Sequence, residues 1–271
     1  MPISIDLELK TRLRKAKCNL NRIAKKTPFL EDSSSKFIVH CCHHKVGTVW
    51  FSRILQGIAI EYGLYFQNCK QDELNIDTDI FLQSHSAVDF SKLPDCIGSH
   101  MIRDPRDVSI SAYFYHLWTA EEWAHIPQEK FEGMSYQKFL NSQTQEQGLV
   151  TEMKRIRNSA LQEMLDWNYD RPDFIEIKYE DIIANEVDVF GKIFKHYGFT
   201  NSAIESGLKI VEKFSFKNAK KKKNDSKKKS HLRSGRSGEW KEVFSEYQKD
   251  QCKQIMGDVL IKLGYESDYD W

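Results

Sequence analysis

The sequence predicts an α/β fold: a single domain in which a central, mostly parallel sheet is flanked by helices around a P-loop-like strand-loop-helix. Three observations carry this. Lys36 to Cys42 is a short apolar, β-branched run that enters a polar turn, His43–His44–Lys45–Val46–Gly47. From Trp50 the apolar residues Trp50, Phe51, Ile54, Leu55 and Ile58 then recur at helical spacing. Short strand patterns alternate with helical ones along the rest of the chain, which calls for crossover helices and parallel pairing. No composition break or Pro/Gly linker divides the 271 residues, so one domain over 1–271 is expected.

In chain order, residues 6 to 26 read as a basic amphipathic helix with Leu7, Leu9, Leu13, Leu20 and Ile23 as its apolar points. This helix is read as a lid packed on the domain in preference to a membrane-surface helix, and 1–30 as an N-terminal helical segment. Tyr62 to Gln67, Asp79 to Gln83 and Pro94 to Ile102 are strand candidates. Asp104 suits a helix N-cap, Pro105 the first helical position and Asp107 the first turn. The helix they open carries Val108, Ile110, Ser111, Tyr113, Phe114 and Tyr115. Trp118 to Phe139 is aromatic-rich and irregular. Thr151 to Trp167 reads as a helix, Phe174 to Tyr179 as a strand, and Asp181 to Tyr197 as a helix closed by Gly198. Residues 217–232 are expected to be a mobile loop, because Lys217 to Lys229 carries eight lysines and almost no apolar residue. Trp240 to Leu263 reads as the last helix, with Gly264 ending it.

Composition excludes several classes. With 40 Lys+Arg against 39 Asp+Glu the net charge is +1, which gives no overall pull toward a polyanion. A nucleic-acid partner is not expected, the lysine run being read as a solvated loop. The six cysteines show no C-x-x-C pair or zinc-ligand spacing and read as reduced thiols of a cytoplasmic protein. No signal-peptide core and no membrane-length apolar run is present.

The turn after the first strand has the outline of a phosphate site. Gly47 lets the backbone approach an anion, the N–H groups from Thr48 onward point at it, and the helix dipole favours negative charge there. Lys45 adds a cation and Thr48 a hydroxyl. The order differs from G-x-x-x-x-G-K-[ST], since lysine here precedes the glycine.

Three separated stretches match one family. Lys45–Val46–Gly47–Thr48–Val49–Trp50 resembles the 5′-phosphosulfate loop of sulfotransferases that use 3′-phosphoadenosine 5′-phosphosulfate (PAPS) and release PAP. Arg103–Asp104–Pro105–Arg106–Asp107–Val108–Ser109–Ile110–Ser111 resembles their 3′-phosphate motif. Arg233–Ser234–Gly235–Arg236–Ser237–Gly238–Glu239–Trp240–Lys241 resembles their carboxy-terminal R-K-G-x-x-G-D-W-K segment. Tyr179–Glu180–Asp181 and Phe214–Ser215–Phe216 add two smaller likenesses. The resemblance implies that Lys45 to Thr48 hold the 5′ end, that Arg103, Ser111, Arg233, Ser234 and Gly235 hold the 3′ phosphate, and that Trp50, Tyr179, Ser215 and Phe216 hold adenine. Two anionic clusters need two phosphate sites, a helix N-terminus and an arginine fork, and the sequence supplies both.

The family commonly places Lys-Ser-His or Lys-Thr-His at the strand end before the 3′ motif; here it reads Gln83–Ser84–His85. His85 keeps the base, Lys45 is left to carry more of the transition-state charge, and Val49 replaces a second hydroxyl residue. The expected reaction is in-line sulfuryl transfer to a hydroxyl or to an amine or guanidine nitrogen, with His85 taking the acceptor proton and Lys45 receiving developing charge. No metal is required, since no Walker-B-like carboxylate follows the loop. His43, His44, His100 and His116 are rival bases, with His116 expected at the far, 3′-phosphate end of the nucleotide. Aromatic residues from Tyr113 to Trp123 suggest a flat or apolar small-molecule acceptor, and Glu121–Glu122 a cationic one. The alternatives are a nucleotide-dependent small-molecule kinase and a polyanion-binding module using the lysine-rich loop.

Overall fold

The structure is a computed structural model that describes residues 29–31, 37–215, 218 and 234–271. The expected helix over residues 6 to 26, Phe216, Arg233 and, apart from Asn218, the lysine-rich loop lie outside the described residues. The elements in chain order begin with β1 (Phe37–Cys42), α1 (Thr48–Tyr62), β2 (Phe66–Asn68), β3 (Ile80–Gln83), β4 (Cys96–Ile102) and α2 (Pro105–His116). They continue with α3 (Tyr136–Asn141), α4 (Gln145–Arg157), α5 (Ala160–Asp166), β5 (Phe174–Lys178), α6 (Tyr179–Ala184) and α7 (Glu186–His196). The last are α8 (Asn201–Phe214), α9 (Trp240–Val243) and α10 (Glu246–Lys262).

The described residues form two compact units. One comprises those up to Cys42, Gly47–Met101 and those from Asn168 to 218; the other comprises His43–Val46, Ile102–Trp167 and 234–271. The first holds a five-stranded sheet of order β2-β3-β1-β4-β5, in which the pairs β1–β3, β1–β4 and β2–β3 are parallel. All six residues of β1 and all four of β3 are buried, as strands covered on both faces must be. Hence these runs are continuous rather than alternating in hydrophobicity. The polar His40 of β1 is buried among them: its ring stacks on Phe51 with centroids 3.6 Å apart, and its Nδ1 lies 2.7 Å from Ser99 Oγ. An aromatic core of Phe51, Phe190, Phe194 and Phe199 joins α1 to α7, with centroids 5.1 to 5.7 Å apart between successive rings. In the second unit α4 packs on both α2 and α10.

The strands stand close to where the sequence places them, but three expected helices are each two. Thr151 to Trp167 is α4 and α5: Thr144 starts α4 earlier through a capping box with Gln147, and Ser159 breaks the run at φ −135°, ψ −101°. Asp181 to Tyr197 is α6 and α7, divided at Asn185, whose side chain accepts from Asp188 N. Trp240 to Leu263 is α9 and α10, divided before Ser245, which forms a capping box with Gln248. In the last two cases a short polar side chain satisfies the amides of a new first turn, while apolar spacing runs on unbroken across the division. Helix α8, capped by Thr200, is absent from the sequence reading. The strand expected over Tyr62 to Gln67 shrinks to Phe66–Asn68, because Tyr62 completes α1. Gly198 and Gly264 take the left-handed conformation expected where helices end.

Candidate active site

The loop after β1 is defined by two left-handed residues, Lys45 at φ 65° and Gly47 at φ 103°. Gly47 suits this twice over, since a Cβ there would also lie 3.1 Å from Cε2 of Tyr179. Lys45 lacks that freedom, and holding it left-handed costs on the order of 1–3 kcal/mol. Its carbonyl accepts from Arg103 Nη1 at 3.1 Å, and its Nζ sits 3.9 Å from the centroid of the Tyr115 ring. Both contacts help to fix the residue. Helix α1 has no acidic residue in its first turn and no capping side chain, so no carboxylate of its own occupies the positive end of its dipole. The Thr48 hydroxyl lies 3.3 Å from Cys42 Sγ, and Val49 points to solvent at 46% exposure.

In the sheet-containing unit, Trp50 is buried, meets Phe190 edge-on at 5.6 Å and donates its indole N–H to Phe214 O at 3.0 Å. That bond ties α1 to the end of α8, just before Ser215. Tyr179 is also buried, with its ring edge against Gly47. His85 is exposed on the turn that follows β3. Its N–H donates to Gln83 Oε1 at 2.6 Å, and the next residue, Ser86, donates its hydroxyl to Cys42 O at 3.1 Å. The turn bearing His85 is thus pinned to the end of β1, where the loop from His43 departs. Gln83, at the position of the family's lysine, is a buried cap for this turn.

In the second unit the residues around Arg103 form one construction. Arg103 is buried and donates Nη1 to Lys45 O and Nη2 to Arg236 O at 3.0 Å. Asp104 caps α2 by accepting from Arg106 N, and its carboxylate also holds the Arg106 guanidinium. That guanidinium lies 3.8 Å over Trp240 and 4.6 Å over Trp271 and pairs with Glu266. Asp107, which the sequence marks only as a first-turn charge, accepts from Gly238 N at 2.7 Å and Trp240 N at 3.1 Å. Burial raises its carboxyl pKa, against the opposing pull of Arg103 and of these two amides. Ser111, about two helical turns after Arg103, is half-exposed, Ser234 donates to Glu239 Oε2 at 2.6 Å, and Gly235 is left-handed at φ 62°. Arg106, Asp107, Trp240 and Glu266 are the residues the sequence reading misses as joiners. For Arg106, Asp107 and Trp240 the only sequence signal is that opposite charges and an aromatic occur in two motifs already singled out; Glu266 lies outside both and carries none.

The histidines separate by role. His43 is buried beside Glu163 at 3.4 Å, and His100 pairs with Glu176 at 2.7 Å. His116, expected at the far, 3′-phosphate end of the nucleotide, lies beside the loop after β1: its ring is parallel to that of His44, with centroids 5.2 Å apart. Nearly three turns of α2 after Arg106 bring the end of this helix beside His44. Glu121 accepts from Tyr115 Oη at 2.7 Å and from Trp123 Nε1 at 2.5 Å. Partial burial raises its pKa, but these bonds and the His116 and Lys45 charges outweigh that and leave the carboxyl below its ordinary range. Among the described residues no group of three or more His, Cys, Asp or Glu is arranged to hold a metal ion. No described helix is long and apolar enough to cross a membrane.

A family profile described as "Sulfotransferase domain" matches residues 11–264. The fold is similar to that of mouse sulfotransferase SULT7A1 complexed with PAP, at 16% identity and a TM-score of 0.55, covering 84% of this chain and 86% of that one. It is similar also to retinol dehydratase in complex with androsterone and inactive cofactor PAP, at 14% identity and a TM-score of 0.55, covering 83% and 80%. No curated protein sequence matches the chain.

Proposed function

The chain belongs to the sulfotransferase family, and from that premise we propose that it moves the sulfuryl group of PAPS to a hydroxyl, amine or guanidine nitrogen of a small-molecule acceptor. The observation that carries this reading is the Lys45 to Thr48 loop, whose left-handed glycine, acid-free helix start and Arg103-bound carbonyl suit an anionic ligand. PAPS fits the residue set, and when bound it supplies the transferable sulfuryl group. Lys45, Val46, Gly47, Thr48 and the α1 amides would hold its 5′ end. Arg103, Ser111, Arg233, Ser234 and Gly235 would hold its 3′ phosphate, and Trp50, Tyr179, Ser215 and Phe216 its base. Val49, turned to solvent, would contribute only its backbone amide.

His85 is the proposed base. It is exposed and backed by a turn pinned to the end of β1, so an acceptor can reach its imidazole, a side-chain type suited to general-base work near neutrality. Lys45 and Thr48 stabilise charge as the sulfuryl group leaves, Lys45 doing so without the neighbouring lysine that Gln83 replaces. The acceptor is read as flat or cationic from Tyr115, Trp118, Trp123 and the ionised Glu121. The six cysteines, with no C-x-x-C pair or zinc-ligand spacing, support a cytoplasmic location. Thermal-shift ranking of PAP, ADP and ATP–Mg²⁺ tests the function. PAP is expected to raise the melting temperature far more than the others; equal shifts would sink the assignment, and a larger shift from ATP–Mg²⁺ would favour a kinase.

A further inference from the structure

Building on the reading of Lys45 as the charge-stabilising residue, we infer that His116 and Glu152 are positioning residues for Lys45. His116 Nδ1 lies 3.0 Å from Glu152 Oε2, and both side chains are fully buried. Glu152 also accepts from Tyr136 Oη at 2.6 Å and from Arg155 Nη1 at 3.4 Å. A carboxylate on Nδ1 fixes both tautomer and ring plane. Trp123 and Tyr136 hold the same ring edge-on, at 5.1 Å and 5.9 Å.

Two routes lead from this fixed imidazole to Lys45. Through the chain, His44 lies parallel to His116 within 6° and is the residue before Lys45. Through the side chain, Tyr115 precedes His116, carries the Lys45 ammonium on its ring at 3.9 Å and is itself anchored through its hydroxyl to Glu121. The backbone and the ammonium of Lys45 therefore rest on one support, and the left-handed φ of Lys45 is held where relaxation would carry the cation away from the loop. A purely apolar core needs no buried carboxylate; one that bonds His116, Tyr136 and Arg155 specifies orientation.

The test is a double-mutant cycle of His116→Ala with Lys45→Met, read both as the PAP dissociation constant by calorimetry and as kcat with PAPS. His116→Ala is expected to weaken PAP binding and to lower kcat by about 10²-fold, the scale of a misplaced catalytic group, with the acceptor KM unchanged. On the Lys45→Met background it should add almost nothing. Glu152→Ala should behave like His116→Ala, while Glu152→Gln, which can still bond Nδ1, should restore most of the rate. Should His116→Ala not fold, His116→Phe keeps the stacking ring and loses the bond to Glu152, and is expected to show the same non-additivity. Losses that multiply with Lys45→Met, or a folded His116 variant with full rate, would overturn the inference. Full activity of Lys45→Met alone would remove the reading of Lys45 itself, and this inference with it.

Discussion

Asp107 shows how much a single residue decides here. Its carboxylate, 1% exposed, receives the amides of Gly238 and Trp240, so the segment after the lysine-rich loop is fastened to the first turn of α2. The sequence marks Asp107 as favourable to the helix dipole, which is true but minor: the dipole contributes tenths of a kcal/mol, whereas orphaning two buried amides costs about 1–3 kcal/mol each. Lys45 and Gly47 were singled out because their types carry chemistry by themselves, and Arg103 and Gly235 through the family resemblance. Asp107 was not, because its partners are more than a hundred residues away. His85 was named through the family's Lys-Ser-His pattern at a strand end. His85→Ala is expected to lower turnover by ~10²–10⁴, the range of lost general-base catalysis, with PAP affinity nearly unchanged. Normal turnover in a folded variant would move the base to Glu121 or Glu122.

Elements were read well where burial and period agree and poorly where capping overrides period. β1, β3 and β4 are apolar runs of strand length with no competing pattern, and they stand within a residue or two of their expected ends. The merged helices went wrong at Asn185 and Ser245, where the side chain caps a new turn while the apolar face continues. Pairing of β4 with β5 also creates a pH-dependent term. His100 on β4 is buried against Glu176 on β5, with the Tyr169 ring edge-on at 5.6 Å. Burial holds its pKa below the ordinary histidine value, against the opposing effect of Glu176. The folded protein therefore refuses a proton that the unfolded chain accepts below about pH 6.5. This contribution to stability is present above that pH and is lost as the pH falls beneath it. His100→Gln should flatten the decline of the urea midpoint between about pH 7 and 5; an unchanged slope would mean that other groups set it.

At the scale of the whole molecule, one family profile runs through both compact units, and the loop after β1 belongs to both by sequence: His43–Val46 falls in one and Gly47 onward in the other. The sequence reading of a single α/β domain captured the sheet and the order of its motifs, because three motifs and their order are properties of the chain. It had no means to see how residues separate into units, since that depends on packing between distant segments. The central claim is sulfuryl transfer from PAPS, and the most direct measurement supplies sulfur-labelled PAPS with a panel of phenols, sterols, amines and guanidines. Label should pass to at least one acceptor with equal release of PAP, and Lys45→Met should suppress that transfer by at least the ~10²-fold of a lost transition-state contact. Label that stays on the nucleotide with every acceptor, in a protein that binds PAP, would contradict the account.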